Sequence, residues 1–217
     1  MSGYLGKLKL SIACSVAAAV LAMPGGVATA QVNPSPQQII DALKPKPKPK
    51  LTRSLSSSPA APAEQEARAD AVTEKFVDTL RNRPARSLST GERQQIASVA
   101  ETKPRIDLEI KFDFNSAGVS RGAVADMDNL GKALSDPALA GSTFVLAGHT
   151  DGVGGDEFNQ DLSNRRADAV KTFLVQKYKL QPDHLVTAGF GKSRLKVPDN
   201  PKAAENRRVE IVNMVEK

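Results

Sequence analysis

The sequence has no tryptophan, two tyrosines and a single cysteine among its 217 residues. That cysteine, Cys14, lies in an apolar stretch near the N-terminus and follows Ser11-Ile12-Ala13, which is a poor lipobox, so acylation is not expected. If the stretch is removed, the remaining chain has no cysteine and cannot form disulfides, whatever its compartment. The fold must then depend on an ordinary apolar core.

Residues 1–30 contain no acidic residue. Lys7 and Lys9 precede an apolar segment over residues 10–23, and the chain then reaches Ala28-Thr29-Ala30, an A-x-A site. An apolar core of about 14 residues is shorter than the roughly 20 that a membrane-spanning helix needs. The pattern predicts a signal peptide over 1–30, exported by the Sec route and cleaved after Ala30. The alternative is an uncleaved anchor, whose helix would have to continue through Pro24.

The net charge of +6 is unevenly distributed. Residues 31–100 carry 11 basic and 7 acidic residues, whereas residues 101–217 carry 17 of each. A nucleic-acid-binding domain concentrates its basic excess on the folded recognition surface. A neutral C-terminal half therefore argues against a nucleic-acid partner.

Residues 31–103 are rich in proline, serine, alanine and charge, and Phe76 is their one aromatic residue. Such a composition predicts a largely disordered linker, and the alternating Lys-Pro run at 44–50 favours an extended polyproline II conformation. Two pieces have helical spacing. The first, 36–43, has Ile39, Ile40 and Leu43; the second, near 63–80, has a stripe of Ala69, Val72, Phe76 and Leu80. The tetrapeptide Arg-Ser-Leu-Ser occurs at 53–56 and again at 86–89, as a docking motif or by chance.

The C-terminal half, 104–217, alternates strand and helix patterns. Residues 106–114 alternate strictly between apolar and polar, which predicts a strand with one buried face, whereas 142–147 is apolar on both faces and should be central. The predicted elements in order are 106–114, 123–134, 142–147, 159–178, 184–190 and 208–215. This β-α-β-α-β-β order predicts an α/β two-layer sandwich, with helices on one face of a mixed sheet.

A carboxylate and a guanidinium stand out within this half. Asp151 follows directly after a predicted strand, in Gly148-His149-Thr150-Asp151-Gly152, where a loop can present a polar group from a rigid support. Arg166 falls within the apolar stripe of the following helix, so it needs a charge partner. Asn159 and Ser163 share its side of the helix, whereas Arg165 points more toward solvent. These groups predict a small polar cleft, although Asp151 alone could simply turn the chain.

Several ordered motifs over residues 106–214 resemble the C-terminal domain family of OmpA, MotB and Pal. They are Phe112-Asp113-Phe114-Asn115-Ser116, Thr150-Asp151-x-x-Gly154, Asn159-x-x-Leu162-Ser163-x-x-Arg166-Ala167-x-x-Val170, Gly189-Phe190-Gly191-Lys192 and Asn206-Arg207-Arg208-Val209-Glu210. The resemblance implies non-covalent binding of peptidoglycan, without catalysis, metal or cofactor. It implies that a diaminopimelate carboxylate pairs with Arg166 and its ammonium with Asp151, a division of charge that suits a zwitterion. The matched motifs imply further contacts at Asn115, Thr150, Asn159, Asn206 and Arg207, with Arg208 expected in an ion pair at the start of a strand.

The chain departs from the family pattern between Gly191 and Asn206. This stretch is short and lacks the Gly-Arg that commonly precedes the Asn-Arg-Arg motif, so the loop that closes one side of the cleft is expected to differ. An enzyme that uses His149 and Asp151 as an acid/base pair is an alternative. No nucleophile, second carboxylate or metal-ligand spacing accompanies that pair in the sequence.

The resemblance and the signal peptide together predict a periplasmic, wall-associated protein, and association with the outer membrane is a further expectation. We hypothesise that residues 31–100 engage a second partner, an outer-membrane or other envelope protein. The competing interpretation is an adaptor or structural protein whose main partner is that envelope protein.

Overall fold

A four-stranded mixed sheet lies at the centre of the structure, a computed structural model that describes residues 34–45, 61–110, 112 and 116–215. The residues Asn33–Lys217 form one compact unit. Its helices and strands in chain order are α1 (Pro36–Leu43), α2 (Ala61–Leu80), α3 (Thr90–Ala100), β1 (Arg105–Leu108), α4 (Val124–Leu134), β2 (Thr143–Gly148), α5 (Asp156–Tyr178), β3 (Leu185–Gly189) and β4 (Val209–Val215). The predicted signal peptide lies outside the described residues.

The strand order in the sheet is β1-β4-β2-β3. β2 and β3 are parallel, and β4 runs antiparallel to both β1 and β2. Every residue of β2 is buried, as its apolar pattern on both faces predicted. From β1 onward the element order confirms the predicted β-α-β-α-β-β mixed α/β fold.

One face of the sheet is covered by α4, α5 and α1. Leu130 of α4 and Leu174 of α5 lie in an apolar cluster with Leu146 and Ile211 of the sheet. The short helix α1 joins the same cluster through Ile39, Ile40 and Leu43, the residues whose spacing predicted it. Because eight residues are too few for a helix that is stable alone in water, α1 depends on this packing.

Two contacts fasten α1 at its ends. The N-cap Ser35 forms a capping box with Gln38, which satisfies backbone donors at the N-terminus of the helix. At the other end, the side-chain Nδ2 of Asn213, in β4, donates to the backbone oxygen of Leu43 at 3.0 Å. The first described helix is therefore bonded directly to the last described strand.

The opposite face of the sheet is covered as well, by α2 and α3. Val77 and Leu80 of α2 and Ile96 of α3 pack against Val145 and Val212, which point to this side. The sequence predicted helices on one face and a largely disordered segment over 31–103, and both expectations fail for the described part of that segment. Few apolar residues suffice here, because the sheet supplies a second apolar face on which they can be buried. The Lys-Pro run from Lys46 onward lies outside the described residues.

The signal for α3 is local and was overlooked. Ser89 accepts a hydrogen bond from the Glu92 backbone, and the Glu92 side chain accepts one from the Ser89 backbone, which is a capping box. Ser89 and the buried Leu88 belong to the second Arg-Ser-Leu-Ser tetrapeptide, so that copy begins a helix. The first copy, at 53–56, is outside the described residues.

Two predicted details are wrong. Val72 was assigned to the buried stripe of α2 but is 62% exposed, and Val77 takes the buried position instead. β1 ends at Leu108, whereas the alternating pattern predicted a strand as far as residue 114. Leu108 pairs with Val209, the first residue of β4, so the pairing of β1 with β4 ends there. No helix in the described ranges is long and apolar enough to cross a membrane.

Candidate functional site

The site forms beyond the ends of β2 and β3, where the loop after β2 meets the segment that leads into β4. The backbone N–H of His149 donates to the Arg208 oxygen at 2.9 Å, and that of Thr150 donates to the Gly191 oxygen at 2.9 Å. The N–H of Gly152 donates to the Pro201 oxygen at 2.7 Å. These three bonds hold the loop that carries Asp151 against both neighbouring segments.

Asp151 is fixed by its own turn and by an arginine. Its Oδ1 accepts a hydrogen bond from the backbone N–H of Val153 at 3.2 Å, and its Oδ2 accepts one from Nη1 of Arg207 at 3.0 Å. The Asp151 side chain keeps 19% of its surface exposed. It therefore both turns the chain and presents a charged group at the surface, so the two sequence interpretations are compatible.

Arg166 approaches from α5 and is only 7% exposed. Its Nε donates to the backbone oxygen of Ser116 at 3.2 Å, and its guanidinium lies 4.9 Å from the centre of the Phe112 ring. Among the described residues, no carboxylate lies within ion-pair distance of it. Burial lowers the pKa of Arg166 below its usual value, the positive charge of Arg207 lowers it further, and Asp151 opposes the shift.

The close approach of α5 to the strand ends brings Arg166 to this position. Gly148 and Gly189 are register partners on β2 and β3. A Cβ at Gly148 would lie 2.3 Å from the backbone oxygen of Ser163, so only glycine permits this packing. The Oγ of Ser163 also accepts a hydrogen bond from the Gly191 N–H at 2.8 Å. Because Arg166 lies one turn after Ser163, it is held beside the loop of Asp151.

Three of the predicted site residues are buried and bond to backbone atoms. The Oγ1 of Thr150 donates to the Asp151 oxygen at 3.0 Å, and Nδ2 of Asn159 donates to the Val153 oxygen at 2.8 Å. Asn206 accepts from the Val197 N–H and donates to the oxygens of Asn200 and Pro201. These side chains shape the loops, whereas Asp151, Arg166 and Arg207 present charge. Asn115 lies outside the described residues.

The loop between Gly191 and Asn206 differs from the family pattern in its sequence, and in the structure it closes against the site. Pro201 contacts Gly152, and Lys192 donates to the Gly154 oxygen at 2.9 Å while its Nζ lies 2.9 Å from Asp156. Sequence reasoning did not assign Lys192 or Pro201 to the site. Lys192 belongs to a quoted motif and could have been found, whereas nothing in the sequence marks Pro201.

His149 does not pair with Asp151. Its ring is buried and stacks on Phe190, with centroids 5.4 Å apart, and its Nε2 lies 3.4 Å from Oε2 of Glu210, which is long for a hydrogen bond. Burial lowers the pKa of His149, while the neighbouring Glu210 opposes that shift. Arg208 forms the expected ion pair at the start of its strand, with Nε 3.1 Å from Oδ1 of Asp107.

Comparison with known proteins places this geometry in a family. Residues 111–208 match the model of the OmpA family. Outer membrane porin F of Pseudomonas aeruginosa is 41% identical over 109 residues, which are 49% of this chain and 30% of that protein. Outer membrane protein A of Escherichia coli O157:H7 is 33% identical over 114 residues, 48% of this chain and 33% of that protein.

The chain thus spans about a third of the length of these two relatives. Among solved structures, the peptidoglycan-associated lipoprotein from Burkholderia pseudomallei is 26% identical with a TM-score of 0.41, covering 48% of this chain and 86% of that one. The stretch matched to the family contains Asp151, Arg166 and Arg207. Residues 111–208 of this chain therefore form a domain that matches the OmpA family.

Proposed function

We propose that this domain binds peptidoglycan non-covalently, by holding the zwitterionic end of a diaminopimelate residue in the peptide stem. The observation that carries the proposal is the pairing of opposite charges in one place. Arg166 is a buried cation with no carboxylate at ion-pair distance among the described residues, and Asp151 is a fixed anion beside it. An amino acid group carries both a carboxylate, which complements Arg166, and an ammonium, which complements Asp151.

The two charged groups suit this ligand in different ways. A guanidinium can bind a carboxylate through two parallel hydrogen bonds, and those bonds are stronger where water is partly excluded, as it is around Arg166. The Asp151 carboxylate is oriented by the Val153 N–H and can accept hydrogen bonds from an ammonium. A ligand without a carboxylate would leave the buried Arg166 without a counter-charge.

The proposal is one of binding without catalysis. A hydrolase would need an activated nucleophile or an acid and a base at the reacting bond. His149, the titratable ring nearest in sequence to Asp151, lies buried against Phe190 and Glu210, and Asp151 bonds to Arg207 instead. The charges of this site favour a salt-bridged ligand over proton transfer.

The names of the relatives support a location in the envelope. Porin F and outer membrane protein A are outer-membrane proteins by name, and the shared part is the domain described above. We propose that this chain is exported by the Sec route to the periplasm and is associated with the wall and with the outer membrane. Peptidoglycan would then be its principal partner.

A second candidate is an adaptor whose main partner is another envelope protein, engaged through residues 31–100. The structure limits the apolar surface that such a partner could contact, because α1, α2 and α3 all pack on the sheet and bury most of their large apolar side chains. Val72, the one strongly exposed large apolar residue of α2, favours a contact there. Replacing Val72 with aspartate would abolish that contact without affecting wall binding.

The proposal is tested by co-sedimentation of the purified full chain with peptidoglycan sacculi. Arg166→Ala removes one partner of a largely desolvated charge pair, which costs about 2–5 kcal/mol, so binding should fall at least about tenfold. Asp151→Asn removes one partner of a more exposed pair and should weaken binding by up to about fivefold. Asp161→Asn is the matched control, because Asp161 is an exposed carboxylate on α5, the helix of Arg166. Its ion-pair partner is Arg165. Thermal unfolding confirms that each variant folds. Failure of the wild type to sediment, or equal binding by all variants, would refute the proposal.

A further inference from the structure

We infer that Arg207 is an internal competitor that occupies the ammonium position on Asp151 and must swing away before a ligand can bind. This inference rests on the proposed function and adds a specificity device to it. It comes from the one contact that the proposed binding mode cannot retain, which is the 3.0 Å hydrogen bond from Nη1 of Arg207 to Oδ2 of Asp151.

The two oxygens of Asp151 differ in what holds them. Oδ1 accepts its bond from the backbone of Val153, which belongs to the same turn and cannot leave without distorting it. Oδ2 is held by a side chain, whose departure needs only rotation about single bonds. An incoming ammonium would therefore take the place of the Arg207 guanidinium at Oδ2.

The Arg207 side chain can make that movement, although its backbone is clamped on both sides. Asn206 is fully buried and makes three hydrogen bonds, and the Arg208 side chain, 9% exposed, is paired with Asp107. Between these two fixed residues the Arg207 side chain is 45% exposed. Its bond to Asp151 is its one side-chain hydrogen bond to another described residue.

Displacing Arg207 from Asp151 costs a small amount of free energy. An exposed ion pair shifts an equilibrium by at most about fivefold. A simple amine would have to overcome that factor with one interaction. A zwitterion gains a second interaction at Arg166, whose charge is disfavoured by Arg207 in its present position. The competitor weakens both ligands by the same factor, which leaves a simple amine with little net affinity while an amino acid group still binds through Arg166.

The test is isothermal titration of the purified full chain with two soluble probes. One is the N-terminally acetylated stem tripeptide that ends in diaminopimelate and keeps the free diaminopimelate amine. The other is the same peptide with that amine acetylated as well, which has the carboxylates but no ammonium. We expect Arg207→Gln to bind the amine probe about two- to fivefold more tightly, because the competitor is gone. Binding of the acetylated probe, which does not displace Arg207, should not be tightened by this substitution.

Arg165→Gln is the matched control. Arg165 also contributes a positive charge near Arg166, but its partner is Asp161, so its loss should leave both probes unaffected. If Arg207→Gln weakens both probes, Arg207 is a ligand-binding arm and the inference is wrong. Equal affinity of Arg207→Gln and wild type for the amine probe would also overturn it.

The outcome is separable from that of the proposed function. If the wild type binds neither sacculi nor the tripeptide, the proposed function fails and this inference fails with it. If the wild type binds and loses binding in Asp151→Asn, while Arg207→Gln gains nothing, only the inference about Arg207 fails.

Discussion

Replacing Gly148 with alanine would test whether close packing of α5 on the strand ends positions the site. The added Cβ would lie 2.3 Å from the backbone oxygen of Ser163, and backbone cannot move aside as a flexible side chain can. Restoring an ordinary contact requires α5 and β2 to separate by about 1 Å, at a cost of about 1–3 kcal/mol. Because Arg166 follows Ser163 by one turn, it would move away from Asp151 with the helix.

Urea unfolding and co-sedimentation with sacculi measure the two consequences separately. We expect Gly148→Ala to lower the free energy of unfolding by about 1–3 kcal/mol. We also expect it to weaken wall binding by the protein that remains folded. Gly155→Ala is the matched control, since Gly155 has φ near −75° and no atom within 4 Å of its would-be Cβ. Wild-type stability and binding in Gly148→Ala would refute the packing argument. A loss of stability with unchanged binding would refute the link between packing and Arg166.

Three further predictions concern stability. Burial lowers the folded-state pKa of His149, so the unfolded chain binds a proton at this residue more readily than the folded protein does. The protein should therefore lose stability as the pH falls below about 6.5. His149→Phe should show a smaller fall in Tm between about pH 7 and pH 5. Ser89→Ala removes the cap of α3 and should cost about 1 kcal/mol in urea unfolding, whereas a disordered segment would show no change. Ile39→Ala leaves a cavity beneath α1 and should cost about 2–5 kcal/mol; an unchanged Tm would mean that α1 is not docked.

The sequence predicts the sheet and its helices well, because their signals are periodic. Except for β1, which ends six residues before the predicted end, the strands and helices of the C-terminal half lie within a few residues of the predicted ranges. The central position of β2 follows from its two apolar faces. Asp151 and Arg166 are predicted as site residues from their chemistry, as a polar group at a strand end and a charge in an apolar stripe. The structure brings those two together with Arg207.

The N-terminal half was harder to predict, because its signals are short and its apolar residues few. The stabilising partner of α2 and α3 is the second face of the sheet, which no local pattern in residues 61–100 reveals. The contact of Pro201 with Gly152 depends in the same way on a loop path that is fixed only when Asn206 is buried. Composition is a property of the segment alone and cannot show what the segment packs against.

The position of β4 has a consequence for the timing of folding. β4 follows the other strands in sequence, yet it lies between β1 and β2 in the sheet, and β1 pairs with β4. A chain that is synthesised or threaded through a pore from its N-terminus therefore cannot complete the sheet until residue 215 has emerged. Until then β2 has β3 on one side only, and β1 has no strand to pair with. Such a chain would remain extensible during transit and form its core in one late step. As the sheet forms, the segment before β4 would bring Arg207 to Asp151.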